Sequence, residues 1–297
     1  MSHLDADTFG GTFPWQSKFI DAGGARLAYV DEGDQAHEPI VMLHGNPTWS
    51  YLYRKFIPVL ARTNRAIAVD HLGFGRSDKP LDGDYTLAGH IRNFTALMDT
   101  LDLRDVTLVM QDWGGPIGLG WATTHADRVK RLVIMNTWAF RVPAGTQLYP
   151  LLELFRQPVV GQAMVQGLNL FVEGFLPSAI ARKELLNEIM PAYRAPFPDW
   201  NSRIAVARFP HDIPVGDDHP SMPEMGRIQD NLGKLNVPTL LIWGMQDPAI
   251  GPALLEVWKS IYPHAEVHTI AGASHFLQED APEEVVAYIT DFVARTR

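Results

Sequence analysis

Asp112 is the first candidate for chemistry, because it stands where a buried strand turns sharply into a helix. The segment MQDWGG (residues 110–115) follows an apolar run and opens a helical pattern, and its glycines let the helix pack close to the strand. A carboxylate here projects above the sheet at a helix N-terminus, which favours its ionised form. It is either a nucleophile or an ordinary helix N-cap. These six residues alone favour neither interpretation.

His275 and Asp247 are the candidates for a base and its partner acid. His275 lies in GASHF (272–276) and Asp247 in WGMQDP (243–248), each just past a predicted strand. Histidine is the usual general base near pH 7. Active sites of open α/β sheets gather beyond the carboxyl ends of strands. Each residue alone is also explained as a hydrogen-bonded loop residue, but three candidates together make that explanation improbable.

Asn46 and Trp113 are candidate hydrogen-bond donors. Asn46 lies in HGNPTW (44–49), directly after a buried strand, and Trp113 follows Asp112. Both side chains can donate, and the indole N–H can do nothing else. Two neutral donors that converge on one point form a cradle for an anion. The plainer interpretations are packing for Trp113 and a turn for Asn46.

The elements that must position these residues alternate between strand and helix. Strand patterns cover 25–31, 39–43, 66–69, 106–110, 131–135, 237–243 and 265–270, and helical patterns cover 50–61, 86–102 and the segment from Gly114. This order predicts an α/β fold with a mostly parallel sheet covered by helices. Strand patterns stop between 137 and 235. We therefore predict a core domain of residues 1–136 and 228–297, with a helical cap inserted at 137–227.

Composition excludes several classes of function. The 297 residues include 25 Lys and Arg against 34 Asp and Glu, a net charge of −9, so a nucleic-acid partner is not expected. The absence of cysteine removes thiolate metal sites and a cysteine nucleophile. Neither a membrane-spanning apolar run nor a secretory signal is visible, so a soluble cytoplasmic protein is expected.

Five motifs resemble the haloalkane dehalogenases of the α/β-hydrolase superfamily. They are HGNPTWSYLYR (44–54), DHLGFGRSDKP (70–80), QDWGGPIG (111–118), WGMQDP (243–248) and GASHFLQED (272–280). The order nucleophile, acid, histidine is also that of α/β-hydrolases. The resemblance covers essentially the whole chain, and the first and third motifs are specific when they occur together.

The resemblance implies hydrolysis of a small halogenated aliphatic substrate to an alcohol, a halide ion and a proton. Asp112 would displace the halide and form an alkyl ester, and His275, oriented by Asp247, would activate water against that ester. The side chains of Asn46 and Trp113 would hold the halide, and their backbone N–H groups would hold the oxyanion. The chemistry needs neither a metal nor an organic cofactor.

The position of the acid points to a subfamily. One subfamily carries a glutamate after the strand at 131–135, where this chain has Asn136. The combination of Asn46, Trp113 and Asp247 looks like the third haloalkane dehalogenase subfamily. Met110 departs from the pattern, since the elbow usually has a smaller residue there.

Two rival functions remain open. An epoxide hydrolase of the same fold would need two phenol donors from the cap, for which Tyr149 and Tyr193 are available. Asn46 argues against it, and the complete set of catalytic positions argues against a non-catalytic ligand receptor. A homo-oligomer is left open. The cluster of His211, Asp212, Asp217, Asp218 and His219 is better explained as solvated loop charge than as a metal site.

The predicted cap also carries the aromatic candidates for the walls of an apolar pocket. They are Trp138, Phe140, Phe155, Phe171, Phe175, Trp200 and Phe209.

Overall fold

The computed structural model describes Leu4 and residues 7–296. Its centre is one eight-stranded sheet with the strand order β1-β2-β4-β3-β5-β6-β7-β8. The strands are β1 Lys18–Asp21, β2 Arg26–Glu32, β3 Pro39–Leu43, β4 Arg65–Val69, β5 Val106–Gln111, β6 Val129–Met135, β7 Thr239–Gly244 and β8 Glu266–Ile270. The α/β-hydrolase fold expected from the sequence is confirmed.

The middle of the sheet is parallel and the first edge is antiparallel. Strands β4, β3, β5, β6, β7 and β8 pair in parallel, whereas β1 with β2 and β2 with β4 pair antiparallel. Every residue of β3, β5 and β7 is buried, as continuous apolar runs predict for strands covered on both faces. The edge strand β1 was not predicted, because it is four residues long and only partly buried.

Helices cover the sheet and also form much of the segment between β6 and β7. In the described part of the chain the α-helices are α1 Ile57–Leu60, α2 Leu87–Thr100, α3 Gly114–Ala122, α4 Pro150–Phe155, α5 Val160–Gln162, α6 Leu176–Ser178, α7 Leu186–Arg194, α8 Ile204–Asp212, α9 Met222–Asn231, α10 Pro252–Ile261, α11 Leu277–Asp280 and α12 Pro282–Arg295. The predicted helix over 50–61 is instead a 3₁₀ turn at Ser50–Tyr53 followed by the four-residue α1.

The helical segment, residues 137–227, lies between β6 and β7 in the chain. In its described structure it holds α4 to α8, the first part of α9, shorter 3₁₀ turns, two π-helical turns and one isolated bridge between Val142 and Val215. The π-helical turns are Ala163–Gly167 and Phe171–Phe175. The boundaries of a core and a cap stay a prediction.

The parallel strands set where functional side chains can meet. Because β3, β5, β6 and β7 run in the same direction, the residues after each of them emerge at one edge of the sheet. Asn46, Asp112, Asn136 and Asp247 all follow one of these strands, and this edge is where the candidate site forms.

Candidate active site

The turn between β5 and α3 holds Asp112 in a backbone conformation that few residues adopt. Its φ of 51° lies in the left-handed region, which is strained for a residue with a side chain. Backbone bonds hold the turn: the Asp112 N–H donates to the carbonyl of Asn136 at 3.0 Å, and its own carbonyl accepts from the Thr137 hydroxyl. Strain kept in place by surrounding bonds is common at functional sites.

The Asp112 carboxylate lies between a backbone amide and a histidine. Its Oδ1 accepts from the Asn46 N–H at 2.8 Å, and its Oδ2 lies 3.6 Å from His275 Nε2. A Cβ at Gly45 would come within 2.0 Å of Oδ1, so only glycine lets the loop approach this closely. The carboxylate is 9% exposed. It is therefore buried but still reachable from one side.

Asp247 orients His275 from the opposite side of the imidazole ring. Asp247 Oδ2 lies 2.7 Å from His275 Nδ1 and accepts from Asn136 Nδ2 at 2.9 Å. Its Oδ1 accepts from the backbone N–H groups of Ala249 and Ile250 at 2.8 and 2.9 Å. Every oxygen of this buried carboxylate is thus bonded, which fixes the direction in which it holds the imidazole.

The surroundings shift the titration of all three groups. Burial raises the pKa of the Asp112 carboxyl, against the opposing effects of His275 and of the backbone N–H groups of Trp113 and Asn46. Burial alone would lower the pKa of His275, but the carboxylates of Asp247 and Asp112 hold it above its usual value. Burial alone would raise the pKa of Asp247. The charge and hydrogen bond of His275 and the backbone N–H groups of Ile250 and Ala249 instead hold that pKa below its usual value.

The side chains of Asn46 and Trp113 reach the same cavity as Asp112. Trp113 stacks on Phe209 with ring centroids 4.5 Å apart. Asn46 Nδ2 donates one hydrogen to the carbonyl of Val206 at 3.1 Å, which leaves the second hydrogen of that amide for another acceptor. The helical segment therefore holds both proposed donors in place.

Trp138 is a further donor beside this pair. Its ring packs edge-on against Trp113 with centroids 5.1 Å apart, and it lines the same cavity. Among the described residues its buried indole N–H has no hydrogen-bond partner. Trp200, the other candidate from the helical segment, is 46% exposed and lies outside the cavity lining.

A cavity of about 500 Å³ lies above Asp112. Its wall is mainly apolar and is built from the helical segment and from the loop that leads into α10. Of the seven predicted aromatic candidates, four line it: Trp138, Phe140, Phe171 and Phe175. The site can therefore hold an apolar molecule against a carboxylate, a base and two or three neutral donors.

Met110 fits the elbow without displacing it. A Cβ at Gly118, one helical turn into α3, would come within 2.7 Å of the Met110 sulfur. The long side chain of Met110 therefore occupies the space that this glycine leaves, and Met110 is fully buried. The unusual residue and Gly118 compensate each other.

The two tyrosines considered for an epoxide hydrolase are separated. Tyr149 lines the cavity, but the Tyr193 hydroxyl donates to Glu279 at 2.5 Å. Arg54 also binds Glu279 through two bonds, at 2.5 and 2.8 Å. Tyr193 therefore belongs to a buried ionic cluster between the helical segment and α11.

The expectation of solvated loop charge at 211–219 holds for Asp217 and Asp218, which are exposed, but is wrong for Asp212, which is buried by its hydrogen bonds. Asp212 accepts from the Leu87 N–H at 2.6 Å and from the Ser221 hydroxyl at 2.5 Å, and the His219 ring contacts the carbonyl of His211 at 2.9 Å. Within the described ranges no group of three or more such side chains is arranged to hold a metal ion.

The sequence did not predict two contacts to the proposed acid and base. Asn136 donates to Asp247, and Gln111 Nε2 lies 3.0 Å from His275 Nε2. Both are polar residues at the carboxyl end of a buried strand, and that position is the signal that points to them. Their partners come from more than 100 residues later in the chain, so no local pattern reveals the contact.

The fold and this arrangement define an α/β-hydrolase with a carboxylate at the nucleophile elbow. The chain matches the model of the α/β hydrolase fold family over residues 38–282. It is 36% identical to haloalkane dehalogenase 2 of Mycobacterium tuberculosis, over 94% of this chain and 95% of that protein. The chain therefore belongs to the α/β-hydrolase fold family and, within it, to the haloalkane dehalogenase family. It is an enzyme of the hydrolase class.

Other similar proteins carry two different names. A cis-3-alkyl-4-alkyloxetan-2-one decarboxylase of Shewanella oneidensis is 39% identical over 95% of this chain and 90% of that protein. Among solved structures, the haloalkane dehalogenase DatA from Agrobacterium tumefaciens superposes with a TM-score of 0.85 and 33% identity, covering 95% of this chain and 97% of its own. The family is thus established, and the substrate is a separate question.

Proposed function

We propose that the protein hydrolyses haloalkanes through a covalent alkyl ester on Asp112. The observation that carries the proposal is the Asp112 carboxylate itself, clamped by the Asn46 N–H and facing both the apolar cavity and His275. A carboxylate needs no base to become a nucleophile, and its ester is an ordinary substrate for acyl transfer. The helical segment is, in this proposal, the cap that keeps water from the carbon–halogen bond.

The first step is displacement at carbon. Asp112 Oδ2 forms a bond to the carbon while the carbon–halogen bond breaks, and the electron pair leaves with the halide. The departing anion is held by the Trp113 indole N–H and by Asn46 Nδ2, or by the unpartnered indole N–H of Trp138. Neutral donors suit this task because their hydrogen bonds to the leaving group become stronger as negative charge develops on it.

The second step is hydrolysis of the ester. His275 Nε2 takes a proton from water, the hydroxide attacks the Asp112 carbonyl carbon, and the oxyanion faces the N–H groups of Asn46 and Trp113. Collapse releases the alcohol and restores the carboxylate, and the proton leaves through His275. Asp247 stabilises the imidazolium formed on the way.

The test separates the two steps with His275→Phe. The variant is incubated with 1,2-dibromoethane at pH 8, chosen to favour the ionised form of Asp112 against its raised pKa, and halide release and intact mass are measured. We expect one halide per active site, a mass increase equal to the alkyl group, and an adduct that maps to Asp112. Asp112→Asn is the control and should gain no adduct. Halide release without an adduct would end the covalent proposal.

A second candidate is decarboxylation of a four-membered lactone. Two observations favour it: the relative named for 3,4-dialkyl oxetan-2-ones, and a cavity of about 500 Å³, which exceeds the needs of a two-carbon haloalkane. Asp112 would displace the ring carboxylate from C4, and loss of CO₂ would then expel Asp112 and leave an alkene. No water is consumed, so His275 is not required as a base.

The same variant discriminates between the candidates. His275→Phe is incubated with a cis-3,4-dialkyl oxetan-2-one, and alkene and CO₂ are measured over many turnovers. Continued alkene formation by the variant, with no halide release from haloalkanes by the wild-type protein, would replace the first candidate with the second. Turnover of haloalkanes with no alkene from the lactone would retain the first.

A further inference from the structure

The side chain of Gln111 contacts His275 Nε2, the ring nitrogen that takes a proton from water in the proposed mechanism. Gln111 is the last residue of β5, directly before Asp112, and is fully buried. Its side-chain nitrogen lies 3.0 Å from His275 Nε2 and 3.1 Å from the carbonyl oxygen of the same histidine. Both contacts fall on His275, a residue 164 positions away in the chain.

The chemistry of these two contacts determines which atoms carry hydrogen. A backbone carbonyl can only accept, so the Gln111 atom that faces it is the NH₂ group. The second hydrogen of that group points to His275 Nε2, which therefore acts as an acceptor. The ring proton is then on Nδ1, where Asp247 Oδ2 lies at 2.7 Å. A proton on Nε2 would face the N–H of Gln111 and would be disfavoured.

We propose that Gln111 is a positioning residue that holds His275 in the neutral form protonated on Nδ1 and keeps the Nε2 lone pair bonded until water replaces the amide. Among the described residues the Gln111 carbonyl oxygen Oε1 is buried without a partner. The two contacts with His275 are therefore what orients this side chain. For its kinetic consequence the inference rests on the proposed function; the protonation of the free protein does not.

The charges around His275 oppose Gln111. Asp247 faces Nδ1 and Asp112 faces Nε2, and both raise the pKa of His275. Asp280 of α11 is directed to the backbone, accepting from Ser274 at 2.8 Å and from Ala181 at 2.9 Å. The rings of Phe175 and Phe276, which also pack on His275, carry no charge. Burial among these rings also favours the neutral imidazole, and Gln111 adds to that effect through a hydrogen bond to the ring itself.

The first experiment needs no substrate. Nitrogen-15 NMR of histidine-labelled protein reports the tautomer and titration of His275, and the signal is assigned by its loss in His275→Phe. We expect the wild-type ring to carry its proton on Nδ1. Gln111→Met and Gln111→Leu should both raise the pKa of His275. The control is Gln278→Met, the same substitution at another fully buried glutamine, which should leave the His275 signal unchanged.

The second experiment measures the consequence for turnover. With a bromoalkane, Gln111→Met should keep the rate of the first halide burst. At the acid end of the pH profile its steady-state activity should be about two- to tenfold below that of the wild-type protein, which corresponds to the loss of one hydrogen bond. A wild-type ring protonated on Nε2, or an unchanged titration in both Gln111 variants, would overturn the inference. The NMR result stands even if haloalkanes are not substrates, so the two failures are distinguishable.

Discussion

At the scale of single residues, the proposed mechanism needs both Asp112 and His275 in their deprotonated forms. Asp112 must lose its proton before it can attack, and His275 must be neutral before it can take one from water. Burial raises the pKa of Asp112 from an aspartate value, and two carboxylates raise that of His275 from a histidine value. Because the ordinary pKa of a histidine lies above that of an aspartate, we expect the hydrolytic step to be the first to fail as the pH falls.

The first prediction follows from this order. As the pH falls through the raised pKa of His275, steady-state halide release should decline while the first-turnover burst persists to lower pH, because the burst needs the Asp112 carboxylate and not the imidazole. Quenched-flow measurement of the burst and of the steady state across pH 4–9 checks this. If the burst and the steady-state rate declined together, alkylation and hydrolysis would not have separate titrating groups.

The second prediction concerns Asp247. Asp247→Asn should leave the burst largely intact and reduce steady-state turnover by roughly 10⁴-fold, by analogy with the acid of a serine triad. The loss follows because the amide no longer stabilises imidazolium and can present an N–H to Nδ1. Single-turnover and steady-state kinetics are compared. Near-normal turnover would mean that another residue is the acid.

At the scale of elements, the donors proposed to hold the halide come from both the sheet edge and the helical segment. Asn46 follows β3 and Trp113 follows β5, while Trp138 lies three residues after β6. Trp113 also stacks on Phe209 of α8. A shift of the helical segment would therefore change the donors that a leaving group meets.

The third prediction distinguishes these donors. Trp113→Phe and Asn46→Ala should each slow the halide burst, at a cost of roughly 2–4 kcal/mol in the barrier, by analogy with an oxyanion donor. Trp138→Phe keeps the ring packing and removes only the N–H. A burst that is normal in Asn46→Ala and slow in Trp138→Phe would transfer the second donor role to Trp138.

The buried cluster of Arg54, Glu279 and Tyr193 joins the helical segment to the core. Its charged groups are nearly inaccessible, with 3% and 0% of the Arg54 and Glu279 side chains exposed. Trp49 strengthens the same contact by donating to the carbonyl of Ala192 at 3.0 Å. These bonds join the helical segment to the sheet domain and should act on the stability of that contact.

The fourth prediction is that Tyr193→Phe lowers stability without lowering turnover. Loss of a buried hydrogen bond to a carboxylate should reduce the free energy of unfolding by about 1–3 kcal/mol. Denaturant unfolding and kcat are measured together. A stable variant that fails to turn over substrate would instead place this hydroxyl in the reaction, as an epoxide hydrolase requires.

At the scale of the whole molecule, the cavity between the sheet edge and the helical segment sets the size of the substrate. The cavity of about 500 Å³ has a mainly apolar wall. The affinity for a substrate should therefore rise with the apolar area that the substrate buries.

The helices in the described part of the chain include none long and apolar enough to span a bilayer.

The fifth prediction follows from that wall. Across 1-bromoalkanes, kcat/KM should rise about fourfold per added CH₂, the worth of roughly 0.8 kcal/mol, until the cavity is filled. Leu254 lies in the first turn of α10 and lines the cavity. Leu254→Trp should therefore stop the rise of kcat/KM at a shorter alkyl chain and leave kcat/KM for bromoethane unchanged. Equal values for bromoethane and bromohexane would show that the chain lies outside this cavity.

The α/β-hydrolase fold could be predicted from the sequence, and so could the placement of Asp112, Asp247 and His275 just past buried strands. Continuous apolar runs identify the buried parallel strands, and the chemistry-bearing residues follow those strands directly. This information is local, since strand burial and turn residues are written in neighbouring positions. The short edge strand β1 and the divided helix at 50–61 were beyond it, because pairing and packing decide such short elements.

Which side chains meet at the site depends on tertiary packing. Gln111 reaches His275, Asn136 reaches Asp247, and Tyr193 turns from the cavity to Glu279. Each contact joins residues 86 to 164 positions apart, so its geometry depends on how the sheet, the helical segment and the last helices pack together. Hydrogen bonds need distances within a few tenths of an ångström, and sequence spacing carries no such information across that separation.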